Sequence, residues 1–176
     1  MTKAGLSLVD SSVDPYIILH RIFSSDATPP SLLLIVGPSG TGKTRLLRDF
    51  ARQTGYPLYL LSLDLSRKLV EVQPEHRARQ VSVVLRAQIA AFHSTVLLVD
   101  QIELLFAPIL MLDPLRLLRE MSRLCSLVVA WPGRCQAGHL TYASPDHPEF
   151  RSYDCQGIPI LPLGGEPNAL SGPGPV

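Results

Sequence analysis

Leu32-Leu33-Leu34-Ile35-Val36-Gly37-Pro38-Ser39-Gly40-Thr41-Gly42-Lys43-Thr44 decides the fold of this chain. An apolar run, the length of a buried strand, leads into G-x-x-x-x-G-K-T, the pattern of a phosphate-binding P-loop. Glycines let the backbone wrap closely around a polyphosphate, with N–H groups pointing inward as donors. The residues that follow, Arg45 to Ala51, have helical spacing, so the positive end of a helix dipole also faces the anion. The pattern assigns nucleotide contact to Gly37, Pro38, Ser39, Gly40, Thr41, Gly42, Lys43, Thr44 and Arg45. Lys43 reaches the β- and γ-phosphates, and the Thr44 hydroxyl takes one place on Mg²⁺. ATP and Mg²⁺ are the expected ligands.

Working outward, strands and helices alternate. A leading helix is expected over 11–24, starting at Asp14-Pro15, with Tyr16, Ile17, Leu19, His20 and Phe23 sharing one side. The P-loop strand covers 32–36 and its helix 43–54, stopped at Gly55-Tyr56-Pro57. Leu58 to Leu63 reads as a second buried strand, after which Asp64 opens a helix through Val70. A longer helix covers 78–92, and a third strand 95–100. Asp113-Pro114 has an N-cap acid with proline at the first helical position, starting a helix over 113–124. The fourth strand is 127–131, ended by Pro132-Gly133, and 139–142 forms a short strand or hairpin. The expected class is α/β: a P-loop NTPase with a parallel sheet covered by helices on both faces, of ASCE type with an AAA-like or RecA-like core. The folded domain is set at 1–156, with a disordered tail rich in proline and glycine at 157–176.

A P-loop enzyme needs an acid on a neighbouring strand tip to hold Mg²⁺, and Val96-Leu97-Leu98-Val99-Asp100 supplies one in the manner of a Walker B strand. Asp100 and Thr44 are therefore the metal candidates. The base is open. Gln101 stands directly after Asp100 and can orient a water without taking its proton. Glu103 could reach the phosphates through one tight helical turn. Asp64 closes the neighbouring strand, where a RecA-like layout puts a catalytic carboxylate, and it could equally be an N-cap. Trp131 stands where a polar sensor is usual and could stack on a base, meet a partner or pack in the core. Arg116, Arg119 and Arg123 share a stripe that is either a solvated face or a source of arginine fingers.

Composition excludes several classes. The chain has 176 residues, 46% hydrophobic and 18% charged, with net charge +1 and pI 7.8. Near-neutrality argues against a large nucleic-acid footprint, so DNA contact is expected to be indirect, with direct contact left open. No apolar stretch is long enough to span a bilayer, and Met1 to Gly5 lacks the apolar segment of a secretion signal. A cytoplasmic protein is expected, with Cys125, Cys135 and Cys155 as reduced thiols. A small-molecule kinase would need a lid, for which 134–139 is too short.

Four stretches carry a family resemblance, and the third and fourth of them are much narrower than the P-loop pattern. They are Gly37 to Arg48; Leu63-Asp64-Leu65-Ser66-Arg67-Lys68-Leu69; Val99-Asp100-Gln101-Ile102-Glu103-Leu104-Leu105-Phe106 with Leu112-Asp113-Pro114-Leu115-Arg116-Leu117-Leu118; and Ala130-Trp131-Pro132-Gly133 with Leu140-Thr141-Tyr142-Ala143-Ser144-Pro145-Asp146-His147-Pro148-Glu149-Phe150. Together they resemble the BrxF family, small P-loop ATPases of type 3 BREX bacteriophage-defence systems, over about residues 10–154. The resemblance implies a bacterial cytoplasmic ATPase working beside a DNA methyltransferase and other defence proteins. It also implies that Asp100-Gln101-Ile102-Glu103 is the family's form of Walker B, which favours Glu103 as the functional acid. Lys43, Glu103, Gln101 and Asp64 are the catalytic candidates. The expected chain hydrolyses ATP and couples nucleotide state to assembly with itself, as a homo-oligomer, or with partners. A nucleotide-gated scaffold with little hydrolysis is the alternative.

Overall fold

Each face of the P-loop strand feeds a different core, and this alternation organises the molecule. The computed structural model describes residues 13–24 and 28–164. In strand β1, Leu32–Gly37, Leu32, Leu34 and Val36 pack on one side of the sheet and Leu33 and Ile35 on the other. The second side is covered by helix α1, Pro15–Ser24, through Ile18 and Leu19, and by helix α2, Lys43–Thr54, through Leu47 and Phe50. Asp14 caps α1 as expected, accepting from the Tyr16 N–H at 2.8 Å; residues 11 and 12 of the expected helix lie outside the described residues.

The first side is covered by three helices: α3, Leu61–Val70; α4, Arg77–Ala90; and α5, Pro114–Met121. Leu61, Leu65 and Leu69 of α3 and Val81, Leu85 and Ile89 of α4 repeat every four residues, so each helix buries one stripe. Asp113 caps α5 by accepting from the Arg116 N–H at 3.0 Å, with Pro114 in the first turn, as the sequence predicts.

Strand β2 is Leu58–Leu60, β3 is Val96–Asp100, β4 is Ser126–Gln136 and β7 is Ile160–Pro162. They form one parallel sheet with β1 in the order β2-β3-β4-β1-β7. The acid-bearing strand β3 is thus separated from the P-loop strand by β4. The expected α/β class with both faces covered is the observed one.

Beyond shifts of up to three residues at the ends of α4 and α5, three boundaries differ from the sequence expectation. Strand β2 ends at Leu60, and Leu61 to Leu63 form the first turn of α3. A short apolar run fits either element by periodicity, and here burial of Leu61 with Leu65 and Leu69 selects the helix. Strand β4 does not stop at Pro132-Gly133. Its parallel register with β1 ends at Gly37 opposite Pro132, and from Gly133 it pairs antiparallel with β5, His139–Tyr142, which in turn pairs with β6, Arg151–Asp154. The proline therefore falls where the strand leaves one sheet for another and its missing N–H is least costly. Gly133 is required there, because a Cβ would stand 1.8 Å from the Thr141 carbonyl oxygen. Finally, the fold continues past 156. Strand β7 adds to the sheet beside β1, so any tail starts no earlier than 165, and 165–176 lies outside the described residues.

Trp131 is fully buried and packs edge-on against Phe106 and Tyr153, while Phe106 stacks on Tyr142. Its indole N–H donates to the Thr141 carbonyl at 2.9 Å. Of the three roles open from sequence, the structure selects core packing, which fastens the hairpin to the segment after β3. Trp131→Phe is expected to lower stability by about 1–3 kcal/mol, through the lost bond and the smaller ring, measured as a drop in urea midpoint. Beside the β4–β5 turn the Cys135 and Cys155 sulfurs are 3.2 Å apart as free thiols. Burial, with the bond to Cys155, pushes the Cys135 thiol up to about 12.

Candidate nucleotide-binding site

Helix α2 begins at the end of the P-loop with Gly42 as N-cap and no side-chain cap, leaving its first N–H groups free to meet an anion. Above it lies a cavity of about 610 Å³. Its floor is Ser39, Gly40, Gly42, Lys43 and Thr44; its far wall is Asp100, Gln101 and Glu103, with Ala130 and Pro132 between. The loop and the Walker B-like strand tip, distant in sequence, thus face one space.

Lys43 is only 8% exposed. Its ammonium donates to the Gly37 carbonyl at 2.5 Å and the Pro38 carbonyl at 2.6 Å. Gly37 and Pro38 therefore hold the lysine and do not line the cavity. Burial lowers the Lys43 pKa from its ordinary value, while the Asp100 and Glu103 carboxylates pull it back up. Thr41 donates to the Pro38 carbonyl at 2.9 Å, closing the loop on itself.

Asp100 is 5% exposed, and its two oxygens differ. Oδ1 accepts from the Gln101 N–H at 2.9 Å, whereas Oδ2 is buried with no partner. An unpaired buried carboxylate oxygen is costly, and a hard cation beside it would relieve that cost. With the half-buried Thr44 hydroxyl in the same cavity, these residues fit Mg²⁺ by donor type.

Gln101 sits in the left-handed region at φ 57°, which costs a non-glycine residue about 1–2 kcal/mol. The turn it makes leads into a 3₁₀ helix, Glu103–Phe106, whose first residue, Glu103, borders the cavity. Glu103 is thus brought to the site by a single tight turn. Asp64 is not. The tip of β2 is Leu60, in register with Asp100, so the expected carboxylate position on that strand carries leucine. Asp64 lies in the first turn of α3, pairs with Arg67 at 3.5 Å and borders a separate groove with Tyr59 and Phe92. Its N-cap role fails for the same reason, since Leu60 precedes the helix.

The arginine stripe on α5 is also remote. Arg116 pairs with Glu120 at 3.2 Å, and Arg116, Arg119 and Arg123 are exposed away from the cavity. Arginines that do border it are Arg45, Arg48 and Arg52 of α2, around Asp49, which pairs with Arg45 and Arg52. The spacing of Arg48 and Arg52 on the helix opened by the P-loop was the available signal for them.

A second cavity of about 580 Å³ adjoins the first across Gly42, Arg45, Asp49 and Arg52, and is closed by Asp14, Tyr16, Gln53 and Leu163. The Tyr16 hydroxyl donates to the Gln53 side chain.

Sheet order, P-loop and opposing acid define a P-loop NTPase fold. Residues 33–109 match the model of the ATPase family associated with various cellular activities (AAA), a span that runs from the P-loop strand through the Walker B-like tip and its 3₁₀ turn. That match covers under half of the chain; it supports a nucleotide-binding P-loop ATPase domain and does not extend to the narrower BrxF resemblance. A comparison with curated proteins finds no match. Among the described residues no helix is long and apolar enough to cross a membrane.

Proposed function

We propose that this protein binds ATP with Mg²⁺ in the P-loop cavity, hydrolyses it, and uses nucleotide state to drive assembly with itself or with partner proteins. The observation that carries the reading is the buried, unpartnered Asp100 Oδ2 in the same cavity as Thr44, Lys43 and Glu103. Bound Mg²⁺ would neutralise phosphate charge beside these two oxygen donors. Lys43 exchanges its bonds to the Gly37 and Pro38 carbonyls for the β- and γ-phosphates, so the charge it holds under desolvation finds a partner. Backbone N–H groups at the start of α2 take the remaining phosphate oxygens. Glu103 accepts a proton from the attacking water, and Gln101 orients that water. Base and ribose extend into the adjoining cavity beside Tyr16 and Gln53.

The biological setting rests on the BrxF resemblance. It points to a type 3 BREX defence system in the bacterial cytoplasm, with other defence proteins as partners and DNA contacted through them. A site completed by a neighbouring copy accords with the absence of an arginine from any element other than α2 among the described cavity residues.

A nucleotide-gated scaffold is the second reading. It is favoured by Gln101, an amide directly after the metal-binding acid, and by the exposure of Glu103. Phosphate release from ATP across a protein concentration series separates the two. Turnover that rises per molecule with concentration supports hydrolysis at a shared site. Saturable ATP binding with no release at any concentration supports the scaffold. Asp100→Asn is expected to lower Mg²⁺-dependent release by about 100-fold, since it removes a charged metal ligand while keeping shape. A titration with Mg²⁺ checks this, the variant requiring more metal for half-maximal rate.

A further inference from the structure

Helix α3 follows β2 with no loop, so its first N–H groups must find partners outside the helix. Ser62, in that first turn, does this and more. Its N–H donates to the Gln101 carbonyl at 2.7 Å. Its Oγ accepts from the Leu104 N–H at 2.9 Å, a donor that the start of the 3₁₀ turn would otherwise leave unpaired. The two bonds bracket residues 101–104, the segment that carries Gln101 and Glu103 into the cavity wall. Ser62 itself does not border the cavity.

The bracketed segment needs holding. Gln101 is in the sparsely populated left-handed region, a conformation that persists only where surrounding bonds over-determine it. Asp100 Oδ1 supplies one such bond and Ser62 two more, beside the turn's own bond from the Leu105 N–H to the Ile102 carbonyl at 3.0 Å. If the Leu104 bond is lost, the turn is free to relax, and Glu103 can leave the position from which its charge reaches Lys43.

We propose that Ser62 is a positioning residue for hydrolysis: it clamps the turn after Asp100 so that Gln101 and Glu103 face the phosphates, without touching nucleotide. The proposal rests on the hydrolysis reading above. Ser62→Ala removes the side-chain bond and keeps the backbone one. It is expected to lower kcat about tenfold while ATP affinity stays within about twofold, because the P-loop is untouched. Amide exchange should quicken at 101–104 and not at 37–44. Ser62→Thr retains the hydroxyl and should restore kcat to within about threefold of wild type. Unchanged kcat and exchange in Ser62→Ala would overturn the proposal, as would ATP affinity falling in step with turnover. A wild type that binds ATP without turning it over would instead count against the hydrolysis reading. The exchange comparison then still decides the clamp: faster exchange at 101–104 supports it, and unchanged exchange overturns it.

Discussion

Lys43→Ala is expected to reduce Mg²⁺-dependent phosphate release from ATP by about 100-fold or more, the loss typical of removing a charge aimed at the transition state. The side chain is 8% exposed and already oriented along the loop, held by the Gly37 and Pro38 carbonyls. Little ordering cost remains when phosphate replaces those carbonyls, so the interaction is preorganised. Burial lowers the Lys43 pKa, which means the folded state holds this proton less readily than the unfolded chain. Wild-type stability should therefore gain as pH rises from the lowered folded value towards the ordinary value of 10.5, where the unfolded chain binds more protons. The alanine variant should lack that gain, so its melting temperature should not rise over that pH range as the wild type's does. Phosphate release and a pair of thermal melts check both statements.

Ending the chain at residue 156 is expected to cost about 3–5 kcal/mol of stability and to abolish ATP binding, a result opposite to that expected of a disordered tail. Strand β7 pairs with the P-loop strand at Leu34, Ile35 and Val36, and Leu161 is 3% exposed in the core beneath α1 and α2. The Leu163 N–H donates to the Val36 carbonyl at 2.7 Å. At the start of the loop, Gly37 is approached so closely that a Cβ would stand 2.3 Å from the Leu163 carbonyl oxygen. The last described residues thus brace the strand from which the P-loop departs. Removing them also leaves β1 as an exposed edge, a template for aggregation. A chain ending at Gly164 keeps every one of these bonds and should bind ATP as the full chain does. Denaturant melts and ATP titration of the two truncations test the difference.

The legible parts of this fold were those with local causes. The P-loop, the α2 helix it opens, the Asp113 cap with Pro114 and the apolar strand ending in Asp100 each announce themselves within about ten residues. Glu103 was reachable by the same logic, since one tight turn after Asp100 suffices to bring it to the cavity. Asp64 was misplaced because Leu58 to Leu63 fits a strand or a buried helix turn equally well, and only packing with Leu65 and Leu69 decides. Strand β7 was missed because its pairing with β1 spans most of the chain, while its composition resembles a linker. Ser62 carried no signal at all: its partners lie across a parallel strand pair, and serine in a first helical turn is unremarkable until those partners are placed.

The most direct test of the central claim is an equilibrium titration of ATP into the full-length protein, with and without Mg²⁺. One saturable site per chain is predicted, tightened by Mg²⁺, with the metal-dependent gain lost in Asp100→Asn because the side chain no longer carries a negative charge. Absence of saturable binding by the wild type, or binding that neither Mg²⁺ nor Asp100→Asn alters, would contradict the assignment of this cavity as a magnesium-nucleotide site.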